Sequence, residues 1–312
     1  MFGLRYEEAM KIRSKVDRLV HFGILAVFSY ATSDEELTVR IIRFEDETGR
    51  VRWGRELNGS AAQPLADEIY TLSELAGAAV PVRRLLAPVV ASNVFCIGLN
   101  YREHARESGM DLPEHPVVFM KPVTSIIGTD EPIVIPACCD PSGEVDYEGE
   151  LAVVLGRVAR DVKEEDALDY VFGYTAANDV SARQWQIQRG GGQWSRGKGF
   201  DTFCPLGPVL VTADEIPDPQ SLTIKTTLNG EVVQRNTAGD MIFDVRQLIA
   251  FISQDTTLLP GTIILTGTPQ GVGFARKPPL WLKPGDLVEV EVEKIGRLRS
   301  PVAASPTMAE EV

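Results

Sequence analysis

A short acidic segment that runs into an apolar strand constrains this chain more than any other feature. Between Val145 and Val154, the carboxylates of Glu148 and Glu150 precede a run of apolar residues that predicts a buried strand. Alternate residues of a strand share a face, so both carboxylates project to the same side. Carboxylates crowded at the edge of an apolar core repel each other and lose hydration. A hard divalent cation is their natural partner, because it prefers oxygen ligands.

Two further acidic residues bear on this pattern. Asp179 ends a second apolar segment and can supply a third oxygen. Asp146 shares the alternation of Glu148 and Glu150, so it is an alternative ligand. A solvated face of an antiparallel sheet would also explain a Glu-x-Glu pair, since charged side chains are mostly exposed. The local pattern therefore leaves both a metal site and an ordinary surface strand open.

The overall charge of the chain disfavours some classes of partner. The 312 residues carry a net charge of −13, which argues against binding to nucleic acids or to anionic membranes. The hydrophobic content of 44% is that of a globular protein, and the length suffices for one large core with a smaller companion domain. An anionic substrate remains possible, because a metal and nearby Lys or Arg residues can reverse the field inside a cleft.

The cysteines and the N-terminal segment bear on the compartment. The four cysteines lack the paired C-x-x-C spacing of a metal site and are expected to be reduced, which fits an intracellular protein. The apolar run between Phe22 and Tyr30 is too short to cross a bilayer. Acidic residues in the first turns of the chain are unlike a secretory or mitochondrial leader. We predict a cytoplasmic protein, with a mitochondrial location as the alternative.

Many short strands and few helices predict an α+β fold that is mainly β. Residues 1–37 form an N-terminal extension with an amphipathic helical pattern over 4–20. A hairpin opens a small N-terminal domain at 38–90, a larger domain follows at 91–303, and 304–312 form an acidic tail. In the larger domain the patterns predict helices over 164–172, 181–189 and 245–252.

Three further segments carry chemistry. His104 and Glu107 stand three residues apart in a predicted helix, so the carboxylate can hold one imidazole nitrogen and leave the other free as a base. An ordinary exposed helical pair is the alternative. Lys198 follows a glycine-rich segment and would reach an anionic site from a mobile loop, unless this is a plain surface loop. Thr268 lies in a glycine-rich turn that either approaches a ligand or simply reverses the chain.

These segments, taken together, resemble the fumarylacetoacetate hydrolase superfamily. The resemblance covers about residues 38–303 and leaves residues 1–37 outside the family pattern. Six motifs occur in the family's order: Gly98-Leu99-Asn100-Tyr101 with His104 and Glu107, Phe119-Met120-Lys121-Pro122, Glu148-x-Glu150-Leu151, Asn178-Asp179-Val180-Ser181-Ala182-Arg183, Lys198-Gly199-Phe200-Asp201-Thr202 and Thr266-Gly267-Thr268-Pro269. Such an ordered set is much more specific than any one motif.

The resemblance implies a family-type catalytic domain with a long β-roll, assembled as a homodimer. It also implies Mg²⁺ or Mn²⁺ held by Glu148, Glu150 and Asp179. His104 and Glu107 match the family's water-activating dyad. Lys198 matches a catalytic lysine at the metal site. Substrate contacts are implied for five further residues: Tyr101, Lys121, Arg183, Gln186 and Thr268.

The implied substrate is a small anionic 2-oxo acid, either a β-diketo acid or one like oxaloacetate. The expected reaction is acylpyruvase-type hydrolysis of a C–C bond, which proceeds through an enolate held by the metal and uses a water activated by His104. Keto–enol tautomerisation or decarboxylation of oxaloacetate are alternatives, because they share that enolate. A catalytically silent binding protein on the same fold is a further alternative.

Overall fold

The computed structural model of the chain describes residues 40–66, 69–71, 75–139 and 144–306. Within these residues there are three α-helices, α1 (Arg102–Ser108), α2 (Ser195–Lys198) and α3 (Val245–Ser253), and a π-helical turn at Gln184–Arg189. The strands are β1 (Arg40–Asp46), β2 (Val51–Glu56), β3 (Ala61–Pro64), β4 (Val80–Leu86), β5 (Asn93–Gly98), β6 (Val117–Lys121), β7 (Ile126–Ile127), β8 (Ile133–Ile135), β9 (Val145–Asp146), β10 (Gly149–Leu155), β11 (Val171–Asn178), β12 (Ser181–Ala182), β13 (Cys204–Thr212), β14 (Thr223–Leu228), β15 (Glu231–Thr237), β16 (Thr262–Leu265), β17 (Leu287–Val292) and β18 (Gly296–Ala304). The predicted α+β class, mainly β, is confirmed.

One large sheet connects the two segments that the sequence divides near residue 90. Its strand order is β2-β3-β4-β1-β13-β11-β10-β16-β5-β6, and β1 also pairs with β2, so the first four strands pair in a ring. β1 continues into the rest of the sheet through Arg40 and Ile41, which pair with Val211 and Leu210 of β13. The boundary between a small and a larger domain stays a prediction, since the sheet runs through it.

A second sheet packs against the large one and closes the core between them. Its order is β15-β14-β17-β18-β8. Val290 and Leu298 from this sheet share one buried cluster with Leu151 and Val211 from the large sheet. The alternation of Leu287–Val292 explains this packing, because every second residue of that strand is buried.

Helix α3 confirms the amphipathic pattern predicted over 245–252. Val245, Leu248 and Ile249 on its inner face are buried in the main core. The helix begins at Asp244, whose side chain accepts from the Gln247 backbone N–H, while the Gln247 side chain accepts from the Asp244 backbone N–H. This reciprocal capping satisfies two N–H groups that a helix start leaves open.

Two predicted helices form over most of their length, but neither is a regular α-helix. The helix predicted over 164–172 is a 3₁₀ helix at Glu164–Tyr170, and it ends where Val171 pairs with Leu155 in the sheet. In the segment 181–189, Ser181 and Ala182 pair with β9, and Gln184–Arg189 winds as a π-helical turn. Strand pairing with other segments therefore shortens both helices.

Some sequence-based expectations concern other parts of the chain. The helix predicted over 4–20 lies outside the described residues, as do all but the first three residues of the predicted tail at 304–312. Among the helices that the structure describes, none has the length and apolar character needed to cross a bilayer.

Asn100 joins three segments that surround the candidate site. Its amide donates to the backbone oxygens of Phe243 at 3.0 Å and Thr266 at 2.8 Å, and its side-chain oxygen accepts from the Phe243 N–H at 2.9 Å. The residue is fully buried and stands two positions before helix α1. Its amide therefore fixes the start of α1 against the chain that follows β16.

Replacing Asn100 with Ala should destabilise the protein. The change leaves two buried carbonyl oxygens and one N–H without their partner, so we expect the free energy of unfolding to fall by about 2–3 kcal/mol. Chemical denaturation measures this value. Asn58→Ala is the matched control, because Asn58 is exposed and contacts only nearby Ser60. Equal stability of the Asn100→Ala protein and the control would contradict the structural role.

Candidate metal centre and active site

Three buried carboxylates meet where strands β10 and β11 pair. Glu150 lies on β10, Glu148 precedes that strand, and Asp179 follows β11. The backbone N–H of Asp179 donates to the Glu148 carbonyl at 2.8 Å, which brings the two turns together. One carboxylate oxygen from each residue lies within 4.8 Å of the others. Since all three side chains are buried, the alternative of a solvated sheet face is wrong.

The carboxylate triad Glu148, Glu150 and Asp179 fits a hard divalent cation. All its ligand atoms are oxygens. Oxygens that bind the same ion lie about 3 Å apart when they are neighbours and about 4 Å apart when they are opposite. The three carboxylate oxygens lie within 4.8 Å of one another, which is close to this spacing. The electrostatics also favour a cation here. Burial first, and then the charges of Asp179 and Glu148, raise the pKa of Glu150 well above its usual range. Its negative charge therefore needs more compensation than the chain supplies.

Two buried lysines contact the triad. The Nζ of Lys198 lies 2.8 Å from both Glu148 Oε2 and Asp179 Oδ2, and it donates to Ser181 Oγ at 2.7 Å. Burial lowers the pKa of Lys198, but Asp179 and Glu148 more than offset this and raise it. Lys121 Nζ lies 2.5 Å from Asp179 Oδ1. Lys198 lies on helix α2 and not on the predicted mobile loop.

Arg183 connects the triad to Asp146. Its Nη1 lies 2.6 Å from Glu148 Oε1 and donates to Gln186 Oε1 at 2.9 Å, while Nη2 donates to Asp146 Oδ2 at 2.7 Å. Burial raises the pKa of Glu148, but Lys198 and Arg183 outweigh burial and hold it at about 2. Asp146 also accepts from the Gly273 N–H at 2.8 Å. Asp146 therefore holds Arg183 in place. It does not belong to the carboxylate triad, so the alternative that Asp146 is a metal ligand is wrong.

Helix α1 presents the predicted dyad. His104 Nδ1 lies 2.8 Å from Glu107 Oε1, which leaves Nε2 as the free nitrogen of the imidazole. Both Glu107 oxygens accept from the Gly271 N–H at 2.9 Å. His104 is among the residues whose electrostatic effect lowers the pKa of Glu148, which places the dyad in the neighbourhood of the triad. The structure therefore brings together the base and the carboxylates that the sequence motifs named separately.

The turn after β16 forms another wall of the site. Gly267 has a positive φ of 94°, which lets its N–H donate to Glu150 Oε2 at 2.7 Å. Thr268 is buried, and its hydroxyl donates to the Gly149 carbonyl at 3.1 Å. Gln234 donates to Thr268 Oγ1 at 2.8 Å and accepts from the Gly149 N–H at 2.9 Å. The role of Gln234 could not be predicted from the sequence, because a single Gln on strand β15 belongs to no recognisable motif.

Tyr101 is fully buried in the main core. Burial, and then the negative charge of Glu150, raise the pKa of its hydroxyl well above the usual range. In this structure Tyr101 offers no open surface, so its contact with a substrate stays a prediction.

Comparisons with known proteins agree with this site. The family model "Fumarylacetoacetate (FAA) hydrolase C-terminal" matches residues 93–303. With this fold and this carboxylate triad, the chain belongs to the fumarylacetoacetate hydrolase family, whose members are enzymes that generally depend on a divalent metal. The predicted family-type catalytic fold is thereby confirmed.

Among curated proteins, the chain is similar to the eukaryotic domain-containing protein 2 branch of the family. It is 49% identical over 219 residues to "Oxaloacetate tautomerase fahd2, mitochondrial" of Xenopus laevis, covering 70% of this chain and 68% of the relative. It is 50% identical over 212 residues to "Oxaloacetate tautomerase FAHD2A, mitochondrial" of Homo sapiens, covering 68% and 67%. The sequence stretches Lys198–Pro208 and Arg276–Pro279 resemble this branch as well, and these relatives confirm the resemblance.

Solved structures of similar fold include proteins named as isomerases. The 5-carboxymethyl-2-hydroxymuconate delta-isomerase of Mycobacterium smegmatis superposes with a TM-score of 0.75 at 41% identity, covering 85% of this chain and 100% of that chain. The 2-hydroxyhepta-2,4-diene-1,7-dioate isomerase of Mycobacterium marinum superposes with a TM-score of 0.74 at 40% identity, covering 86% and 100%. The fold match thus extends beyond the segment covered by the family model.

Metal binding should weaken as the pH falls. The raised pKa of Glu150 means that protons compete with a cation for this carboxylate at a higher pH than for an ordinary Glu. Ionised Glu150 destabilises the metal-free protein, so that form loses stability as the pH rises through the raised pKa. The increase in melting temperature caused by Mn²⁺ should therefore be larger at a mildly alkaline pH than at a mildly acidic one.

Differential scanning fluorimetry with and without Mn²⁺ measures this effect. The Glu150→Gln variant should lose most of the Mn²⁺ response at both pH values. Glu165→Gln, which alters an exposed glutamate, is the matched control and should keep the full response. An equal Mn²⁺ response in the Glu150→Gln protein would show that the ion binds elsewhere.

Proposed function

We propose that this chain is a divalent-metal-dependent tautomerase that interconverts the keto and enol forms of oxaloacetate. The observation that carries the proposal is the His104–Glu107 pair, which leaves Nε2 free and acts electrostatically on Glu148 of the buried carboxylate triad. This arrangement suits the movement of one proton between a carbon and an oxygen of a bound acid. Relatives that are 49% and 50% identical carry the same activity in their names.

The charges of the site support an anionic substrate. Four buried carboxylates, from Asp146 and the triad, face three cationic side chains: Lys121, Lys198 and Arg183. A divalent cation on Glu148, Glu150 and Asp179 would reverse the net sign and favour a small 2-oxo acid. The preferred ion is Mg²⁺ or Mn²⁺, because all three ligands are hard oxygens.

Each group then has a defined task. When bound, the cation supplies Lewis-acid stabilisation of negative charge on an oxo oxygen. Lys198 stays charged because its pKa is raised, so it can stabilise the same developing charge from the protein side. His104 Nε2 takes the proton from the substrate carbon and returns it to the oxygen, and Glu107 stabilises the imidazolium formed in between.

Hydrolysis of an acylpyruvate C–C bond is the second candidate. The same observation favours it, because a base held by a carboxylate also activates water. Decarboxylation is less favoured, since loss of CO₂ needs no base, and a silent binding protein would not need the dyad at all. Base-dependent chemistry is therefore favoured, and an experiment distinguishes tautomerisation from hydrolysis.

Assembly and compartment stay predictions. The homodimer follows from the family resemblance, and light scattering on the purified 34.2 kDa chain would test it. A cytoplasmic location was predicted from the sequence, whereas the relatives from Xenopus laevis and Homo sapiens are named as mitochondrial. Mitochondria are therefore the specific alternative for a localisation experiment.

Enolic oxaloacetate mixed with the protein and Mg²⁺ should ketonise faster than in buffer, without cleavage. His104→Ala should reduce this rate by about 10²–10⁴-fold, because it removes the base, while Mn²⁺ binding persists. Enol absorbance follows the rate, and proton NMR identifies the products. His115→Ala is the matched control, since His115 is exposed and stacks on Phe251.

The same NMR experiment with acetylpyruvate separates the two candidates. A tautomerase should leave acetylpyruvate intact, whereas acetate and pyruvate in equal amounts would establish the hydrolase instead. Ketonisation at the same rate in the wild-type protein and in His104→Ala would contradict both forms of base chemistry.

A further inference from the structure

Arg276 lies outside the candidate site and yet makes a set of well-defined contacts behind it. Its Nη2 donates to the Val233 carbonyl at 2.7 Å. Its Nε donates to the Tyr147 hydroxyl at 3.2 Å and to the Gly271 carbonyl at 3.3 Å. The three acceptors belong to segments far apart in the chain. A planar guanidinium with donors in fixed directions can hold all of them at once.

Gly271 connects this arginine to the dyad. The Gly271 carbonyl accepts from the Tyr147 hydroxyl at 3.0 Å as well as from Arg276, and the Gly271 N–H donates to both oxygens of Glu107. The backbone of Gly271 packs closely against β15, because a Cβ there would lie 2.2 Å from the Val233 carbonyl oxygen, and its φ of 99° also favours glycine. Arg276 thus holds the carbonyl on one side of the Gly271 Cα, while the N–H on the other side binds the Glu107 carboxylate.

Tyr147 adds a link to the triad. It stands next to Glu148 in the chain, and its hydroxyl accepts from Arg276 while donating to Gly271. The hydrogen-bond path therefore runs from the segment that holds the triad, through Gly271, to Glu107 and His104. It connects the segment of the triad to the dyad through backbone and side-chain groups of the protein.

We propose that Arg276 is a positioning residue for the His104 base, acting through Gly271 and Glu107. The inference rests on the proposed function, since it presumes that His104 transfers a proton. Arg276 sets where the Glu107 carboxylate stands relative to the triad, and so where His104 Nε2 meets the substrate carbon. Small displacements of a catalytic group cost rate without weakening substrate binding.

The test replaces Arg276 with Met in the full-length protein. The kcat for ketonisation should fall by about tenfold or more, while KM and the Mn²⁺ response stay unchanged. Arg276→Lys should restore part of the rate, because one donor can still reach one acceptor. Arg297→Met is the matched control, since Arg297 is exposed and pairs with Glu289 and Glu291 of the second sheet, away from the triad. A fall in Mn²⁺ binding with unchanged kcat would overturn the positioning role.

A double-mutant cycle with Glu107→Ala gives the sharper outcome. If Arg276 acts through Glu107, Arg276→Met should cost nothing further once Glu107 is absent. Fold-losses that multiply in the double variant would overturn the inference and leave the proposed function intact. Full activity of Glu107→Ala alone would instead overturn the dyad itself, and the inference with it.

Tyr147→Phe provides a second variant that removes one hydroxyl and keeps the ring. It should lower kcat in the wild-type background and have no effect in the Glu107→Ala background. This variant keeps the inference testable even if Arg276→Met folds poorly. A Tyr147→Phe effect of the same size in both backgrounds would contradict the path through Gly271.

Discussion

Three buried carboxylates repel one another at the candidate site, and this repulsion determines which side chains must surround them. Glu148, Glu150 and Asp179 come within 4.8 Å of one another at the edge of the apolar core. Burying such charges without partners is costly, and each must be compensated by a cation, a proton or a hydrogen-bond donor. Burial and the charges of Asp179 and Glu148 raise the pKa of Glu150, so the chain's own donors offset its charge only in part. A divalent cation bound to the triad would complete this compensation.

Some of the surrounding residues compensate the charge of the triad, and others hold those residues in position. Lys198 and Lys121 contact the triad directly, whereas Arg183 is held at Glu148 by Asp146. Asp146 is in turn fixed by backbone N–H groups, so its charge is satisfied without a metal. The result is a carboxylate site with fixed donors, beside a dyad in which Glu107 leaves one imidazole nitrogen of His104 free.

Local patterns predicted the parts of the site that lie close together in the chain. Glu148 and Glu150 lie together at the start of β10, and His104 and Glu107 lie on one helix. Their assembly with Asp179 came from the order of motifs, not from spacing. The tasks of Gln234 and Arg276 could not be predicted, because their partners lie far away in the chain and neither residue belongs to a periodic pattern. Strand pairing likewise replaced the helix expected at Ser181.

We propose that the triad holds a divalent cation. Diffraction from crystals that contain Mn²⁺ tests whether the ion binds there. Anomalous scattering should show one strong peak with oxygens of Glu148, Glu150 and Asp179 at about 2.1 Å. The Lys198 ammonium should have moved away from the ion while remaining nearby. A peak at another position, or crystals in which Lys198 still bridges Glu148 and Asp179 at saturating Mn²⁺, would contradict the account.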